Sequence, residues 1–309
     1  MLPSRWPILA SASVDLISLS EPTLRARLRR DRRVPIALSV FAIILAIAIF
    51  ARVLAPYDPR AQLDIIHLQS QAPSLAHPLG TDTFSRDVLS RMIYGAQVSL
   101  TIALAAAALA MTFGTLLGAV AGYVGGVIDT VLMRFVDAAY SVPTLLLLIV
   151  VIALWQEVGV VPLTLLIAGV GWFPVSRLVR AETLAVRDAD FVVAARALGT
   201  PPWRILVKHV LPNVVGPAIV SSTLAIGNII LLEAGLSYLG IGVRPPTASW
   251  GNIIQDGAER VSDLWWLTLF PGLAILVTVF ACNALGDALR DALDPRQLLS
   301  AFDSEKLSS

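Results

Sequence analysis

Six runs of mostly apolar residues, near 34–54, 97–124, 129–154, 161–183, 214–239 and 264–289, constrain this chain more than any other feature. Each is about the 20 residues needed to cross ~30 Å of hydrocarbon as a helix. In lipid the backbone must satisfy its own hydrogen bonds, which a helix does within one segment. With 56% hydrophobic and 15% charged residues and a mean hydropathy of +0.76, the chain is not a soluble domain built around one core. The expectation is an all-α polytopic membrane protein with six transmembrane helices. A net charge of +1 argues against a nucleic-acid partner, which requires a concentrated basic face. One cysteine, Cys282, builds neither a disulfide framework nor a cysteine metal cluster within the chain.

Arginine placement sets the expected orientation, because cytoplasmic flanks retain Lys and Arg. With the N-terminus inside, 16 of the 23 basic residues fall on the cytoplasmic side. The run RARLRRDRR, Arg25 to Arg33, is the strongest vote. The order of charge and apolar patches at the N-terminus differs from that of a signal peptide, so 1–33 reads as a cytoplasmic tail. The remaining divisions are 34–96 (first span and external segment), 97–290 (the core with the other five spans) and 291–309 (a second cytoplasmic tail). Six spans place both termini in the cytoplasm and segments 55–96 and 240–263 outside.

Within the second span Ala106, Ala110, Gly114, Gly118 and Gly122 recur every four residues and give a smooth face for a neighbouring helix. Pro143, Pro174, Pro217 and Pro271 interrupt other spans, a pattern suited to a bundle that lines a path. Arg134 and Asp137, three apart, are placed to pair locally. Glu233 is the deepest intramembrane carboxylate, read either as a satisfied link between helices or as part of a pathway or gate.

Several chemistries lack their residues. There is no G-x-x-x-x-G-K-[ST] loop before either lysine, Lys208 or Lys306, so the chain has no phosphate cradle of that type for ATP. The three histidines are dispersed, no His-Glu-x-x-His helix is present, and the serine-hydrolase elbow is missing. A non-catalytic protein with no cofactor of its own is expected.

The stretch DFVVAARALGTPPWRILVKHVLPN, Asp190 to Asn213, breaks the apolar pattern on the cytoplasmic side. Good helix formers run to Leu198, Gly199 fits a left-handed helix end, and Thr200–Pro201 restart the chain. A second amphipathic helix, Pro201 to Val210, carries Trp203, Leu206, Val207 and Val210 on one side and Arg204 and Lys208 on the other, with Pro212 as its stop. Such an elbow either lies on the membrane surface or projects into a soluble partner, with Ala194 and Ala195 allowing close approach.

The AARALG motif, followed after eleven intervening residues by LP, resembles the EAA loop of ABC importer permeases. HPLGTD (His77–Asp82), RDVLSRMIYGAQVSL (Arg86–Leu100), LSYLGIGVRPPTASWGNII (Leu236–Ile254) and FPGLAILVTVFACNALGDALRDALDPR (Phe270–Arg296) sharpen the likeness. Over about residues 30–297 the chain resembles the C-type permease subunit of dipeptide, oligopeptide and nickel importers. The resemblance implies the type I importer fold and a bacterial inner-membrane location. It also implies a homologous B-type permease, two ATP-binding subunits that hold ATP and Mg, an external substrate-binding protein, and a membrane lipid environment.

By that resemblance the ATPase-coupling residues are Val193, Ala194, Ala195, Arg196, Gly199, Arg204, Lys208 and Pro212, while Arg244, Trp250 and Asn252 lie near the binding-protein docking face. Two positions depart from the family pattern. Val193 replaces the glutamate of EAARALG, and Ser85 stands where glycine is common. Peptides are the expected cargo, with nickel chelates, glutathione or haem as alternatives. A self-contained secondary transporter using Glu233, or a membrane-anchored interaction protein, are the rivals from other classes.

Overall fold

The computed structural model describes residues 33–154 and 159–293; the tails expected to be cytoplasmic lie outside these, except for Arg33 and 291–293. Apart from one isolated bridge between Thr81 and Asp87, the regular structure of the described residues is helical. In chain order the helices are α1 (Arg33–Ile49), α2 (Ala51–Leu54), α3 (Val88–Val124), α4 (Gly126–Tyr140), α5 (Thr144–Ala153), α6 (Val160–Val186), α7 (Asp190–Ala197), α8 (Pro202–Ile205), α9 (Leu211–Tyr238), α10 (Trp250–Gly257) and α11 (Trp266–Leu293). A π-helical turn, Leu206–Val210, joins α8 to α9.

Four helical stretches are long and apolar enough to cross a membrane: α3, α6, the composite Pro202–Tyr238, and α11. The third expected span is not one rod. Its two parts, α4 and α5, meet at 84°, because Pro143 has an extended ψ of 123° and restarts the helix without an amide to donate. Taken as one bent span, the pair makes a fifth crossing. The first run forms a 17-residue apolar helix, α1, which breaks at Phe50 before α2. Pro174, Pro217 and Pro271, in contrast to Pro143, lie inside helices that continue through them.

Helices α3 and α6 form the closest pair, and glycine is the cause. A Cβ on Gly114 would stand 2.9 Å from the Trp172 carbonyl oxygen, one on Gly122 would stand 2.9 Å from that of Arg180, and Gly118 faces the Ser176 carbonyl just as closely. Only hydrogen fits there, so the expected small-residue face is the α3–α6 contact. A central apolar cluster with Leu100, Ile102, Leu148, Leu163, Ile230 and Trp250 joins α3, α5, α6, α9 and α10.

Helix α3 spans roughly 55 Å at 1.5 Å per residue, more than the hydrocarbon requires. It starts nine residues before the expected span edge, capped by Asp87, whose side chain accepts the Ser90 amide. Two ends of the bundle are thereby defined: a cap end, where α3 starts and α9 finishes, and an elbow end carrying α7 and α8.

Candidate functional site

The elbow end is built around a Schellman ending. Gly199 takes φ +76°, its amide bonds to the Arg196 carbonyl at 3.0 Å, and the Thr200 amide reaches the Ala195 carbonyl at 3.1 Å. Pro201 then caps α8 with extended backbone. The second elbow helix does not stop at Pro212. Within Leu206–Val210 the ladder widens to π spacing, with the Leu211 amide bonded to the Leu206 carbonyl, and the chain runs on into α9. A π turn of this kind absorbs the local disruption from a proline, which lacks an amide and crowds the preceding turn.

That widened turn also changes which side chains face inward. Ile205 and Val210, five apart, are buried, while Trp203 and Val207 are exposed instead of packing with Val210 as the amphipathic pattern suggests. Val192 and Ala195 of α7 are buried with them against Ala119 of α3, Val175 and Val179 of α6, and Val214 and Ala218 of α9. The elbow is therefore clamped to three long helices through one apolar cluster. Ala195 belongs to that clamp and is not available for approach by a partner; Ala194 is exposed.

The outward surface of the elbow carries Val193, Arg196, Gly199, Arg204, Lys208 and Pro212, all exposed. Beside them stand Leu198 (86% exposed) and Trp203 (63% exposed). Arg204 lies over the Trp203 ring at 5.4 Å. Solvated apolar side chains ringed by cations form a surface suited to covering by another protein or by lipid.

At the cap end, Glu233 sits five residues before the end of α9 and is not mid-span as its sequence position suggested. It is fully buried and shares its oxygens between Ser99 of α3 (2.9 Å) and Ser237 (2.7 Å). The same hydroxyls accept the Trp250 and Val243 amides at 3.4 and 3.0 Å. One carboxylate thus organises α3, α9 and the turn above them, which fits the reading of Glu233 as a satisfied link between helices.

Arg244 is exposed, whereas Trp250 and Asn252 are buried. The Trp250 indole donates to the Met92 carbonyl at 3.2 Å. Asn252 completes a capping box with Ser249 and donates to the Val243 and Thr247 carbonyls. Their side chains hold the 240–257 segment together from inside and offer no docking contact.

Beneath that segment lies a charged cluster that the sequence reading missed. Asp82 accepts Arg86 Nε at 2.6 Å and is paired with Arg91; Asp256 of α10 receives Arg91 Nη1 at 2.6 Å and Arg86 Nη2 at 3.0 Å. Alongside it the buried His77 Nδ1 meets Asp87 at 2.9 Å. At the elbow end, Arg180 clasps both Asp129 oxygens through Nε and Nη2, and Asp137 pairs with Arg177 at 3.6 Å in place of the expected partner Arg134.

Comparison with known proteins matches residues 114–298 to the binding-protein-dependent transport system inner membrane component. The chain belongs to this family. Residues 23–73 also match the N-terminal transmembrane domain of oligopeptide transport permease C. A Brucella suis protein is 41% identical over 290 residues, covering 93% of this chain and 96% of its own length. The oligopeptide transport system permease protein of Haemophilus influenzae is 36% identical over 271 residues, 87% of each chain. The glutathione transport system permease protein of Pectobacterium atrosepticum is 37% identical over 266 residues, 86% of this chain and 88% of its own. As an inner-membrane component of a binding-protein-dependent system, the chain is an all-α, multi-pass permease. Within this permease the departure at Ser85 has a local explanation. Ser85 is buried with φ +55°, a conformation that glycine adopts without strain. The missed ion cluster had one local signal, the alternation of acid and base in TDTFSRD, but nothing in the sequence pointed to Asp256.

Proposed function

We propose that this chain is the C-type permease subunit of an ATP-driven peptide importer. It pairs with a homologous B-type permease to form the path, and its elbow docks onto the separate ATP-binding subunits, two per importer, which hold the ATP and Mg. An external substrate-binding protein delivers cargo at the cap end. In this reading the fold is that of a type I importer, with six crossings counting α1–α2 as the first and bent α4–α5 as the third. The elbow and both termini face the bacterial cytoplasm. Peptide as cargo draws on the relatives named for oligopeptide and glutathione transport.

The observation that carries the reading is the elbow's division of labour. Its inner face, Val192, Ala195, Ile205 and Val210, packs onto α3, α6 and α9, while Leu198 and Trp203 stand in solvent. Displacement of the outer face by a motor subunit would be passed to three long helices at once. Val193 lies on that outer face, so the carboxylate it replaces is lost from the contact surface and not from the elbow's core.

Co-purification tests this directly. Leu198→Asp with Trp203→Ala should insert normally yet lose the ATP-binding subunits and ATP-dependent uptake. Uptake by this chain alone, driven by a proton gradient and indifferent to ATP, would instead establish a secondary transporter.

A further inference from the structure

A cleft of about 520 Å³ opens at the cap end between the Arg52–Arg60 segment, Tyr94 and Gln97 of α3, and Pro246–Ala248. Two cations line it, Arg52 and Arg60, and neither side chain has an ion pair or hydrogen bond among the described residues. One carboxylate shares the cleft: Asp58, whose Oδ1 accepts the Arg60 amide at 2.8 Å. The cleft's charged side chains therefore leave one net positive charge, the complement of a single phosphodiester.

Its level along the bundle narrows the occupant. Arg52 lies in α2 beside Val53 and Leu54 and two residues after Phe50, all exposed and apolar, at the tip of the first apolar rod. With α1–α2 as the first crossing, hydrocarbon contact ends there and headgroups begin. Tyr57 and Tyr94 line the same cleft, and tyrosine concentrates at membrane–water interfaces. A soluble acid would satisfy the arginines but leave the adjoining apolar strip uncovered; an amphiphile covers both.

We propose that this cleft binds the phosphate of a membrane glycerophospholipid. The arginines donate charge-assisted hydrogen bonds to phosphate oxygens, and the acyl chains lie along Ile49, Phe50 and Val53. The bound headgroup pins the end of α2 and the start of the 55–87 segment to the bilayer surface. This inference rests on α1–α2 entering the membrane and is independent of the cargo or the energy source.

The test is native mass spectrometry of the detergent-purified full chain, titrated in turn with phosphatidylglycerol, phosphatidylethanolamine and a diacylglycerol of the same chains. Both phospholipids should be retained and the diacylglycerol should not. Retention of phosphatidylglycerol without phosphatidylethanolamine, which carries the same phosphodiester, overturns recognition through the phosphate. The double variant Arg52→Gln, Arg60→Gln should lower retention about tenfold or more, and Arg52→Lys with Arg60→Lys should restore most of it. Both side chains are exposed and unpaired among the described residues, so folding should be unaffected, as an unchanged melting temperature without added lipid would show. Equal retention of diacylglycerol, or phospholipid retention that survives the glutamine pair, overturns the site.

Discussion

Arg91, in the first turn of α3, reaches Asp256 of α10 at 2.6 Å across 165 residues of sequence. Arg91 is almost wholly buried and Asp256 nearly so, and both also engage the Asp82–Arg86 pair. Removing one member of such a cluster strands a charge away from water, at a cost of about 3–5 kcal/mol. Asp256→Ala should therefore markedly lower the melting temperature of the solubilised protein and its yield in the membrane. An unchanged melting curve would show that the cluster does not hold the cap in place.

Ser85 pays a backbone penalty for its φ of +55°. Relief of that penalty is partly offset by glycine's greater freedom in the unfolded chain. Ser85→Gly should accordingly be neutral or stabilising by up to about 1 kcal/mol. Ser85→Val, β-branched in a left-handed position, should destabilise by at least ~1–2 kcal/mol. Thermal unfolding of the two variants side by side checks the order, and a valine variant as stable as the glycine one would refute it.

Gly199 differs from the glycines of α3 because a Cβ added to it meets nothing within 4 Å. Its requirement is φ alone, +76°. Gly199→Val should leave insertion intact but disfavour the native elbow by ~1–2 kcal/mol, a factor of about 5–30 in population. Binding-protein-stimulated ATP hydrolysis and uptake in proteoliposomes should fall together, with Gly199→Asn losing much less. Full uptake in the valine variant would remove the elbow from the coupling route.

Glu233 bridges Ser99 and Ser237 in a fully buried site. Glu233→Gln keeps an acceptor and a donor within reach of both hydroxyls and should preserve folding and ATP-dependent uptake. Glu233→Leu leaves buried hydroxyls without that partner and should cost about 1–3 kcal/mol, read as a lower melting temperature. A glutamine variant that folds normally yet transports nothing would favour the pathway or gate reading of Glu233 over the structural one.

Much of the fold is legible because lipid imposes a strong one-dimensional rule. The apolar runs mark the long helices α3, α6, α9 and α11, and the four-residue spacing of Gly114, Gly118 and Gly122 anticipates the α3–α6 contact. The turn at Gly199 is equally local, since a left-handed helix ending is encoded in the residue that forms it. Prolines are read less well. Pro143 breaks its span whereas Pro174, Pro217 and Pro271 do not, and Pro212 is accommodated by a π turn that extends back to Leu206. Whether the freed carbonyls find other partners depends on neighbours that the local sequence does not name.

Alone, the sequence determined the membrane class, the helical periodicity, the glycine seam and the missing nucleotide loop, because each follows from residues near one another in the chain. Only the tertiary structure decided that Trp250 and Asn252 are buried, that Ala195 faces inward, that Glu233 links helices near the cap, and that Arg91 meets Asp256. Those outcomes depend on which distant segments exclude water from a given side chain. Burial and ion pairing across 165 residues are properties of the folded arrangement, with no periodic trace in the chain.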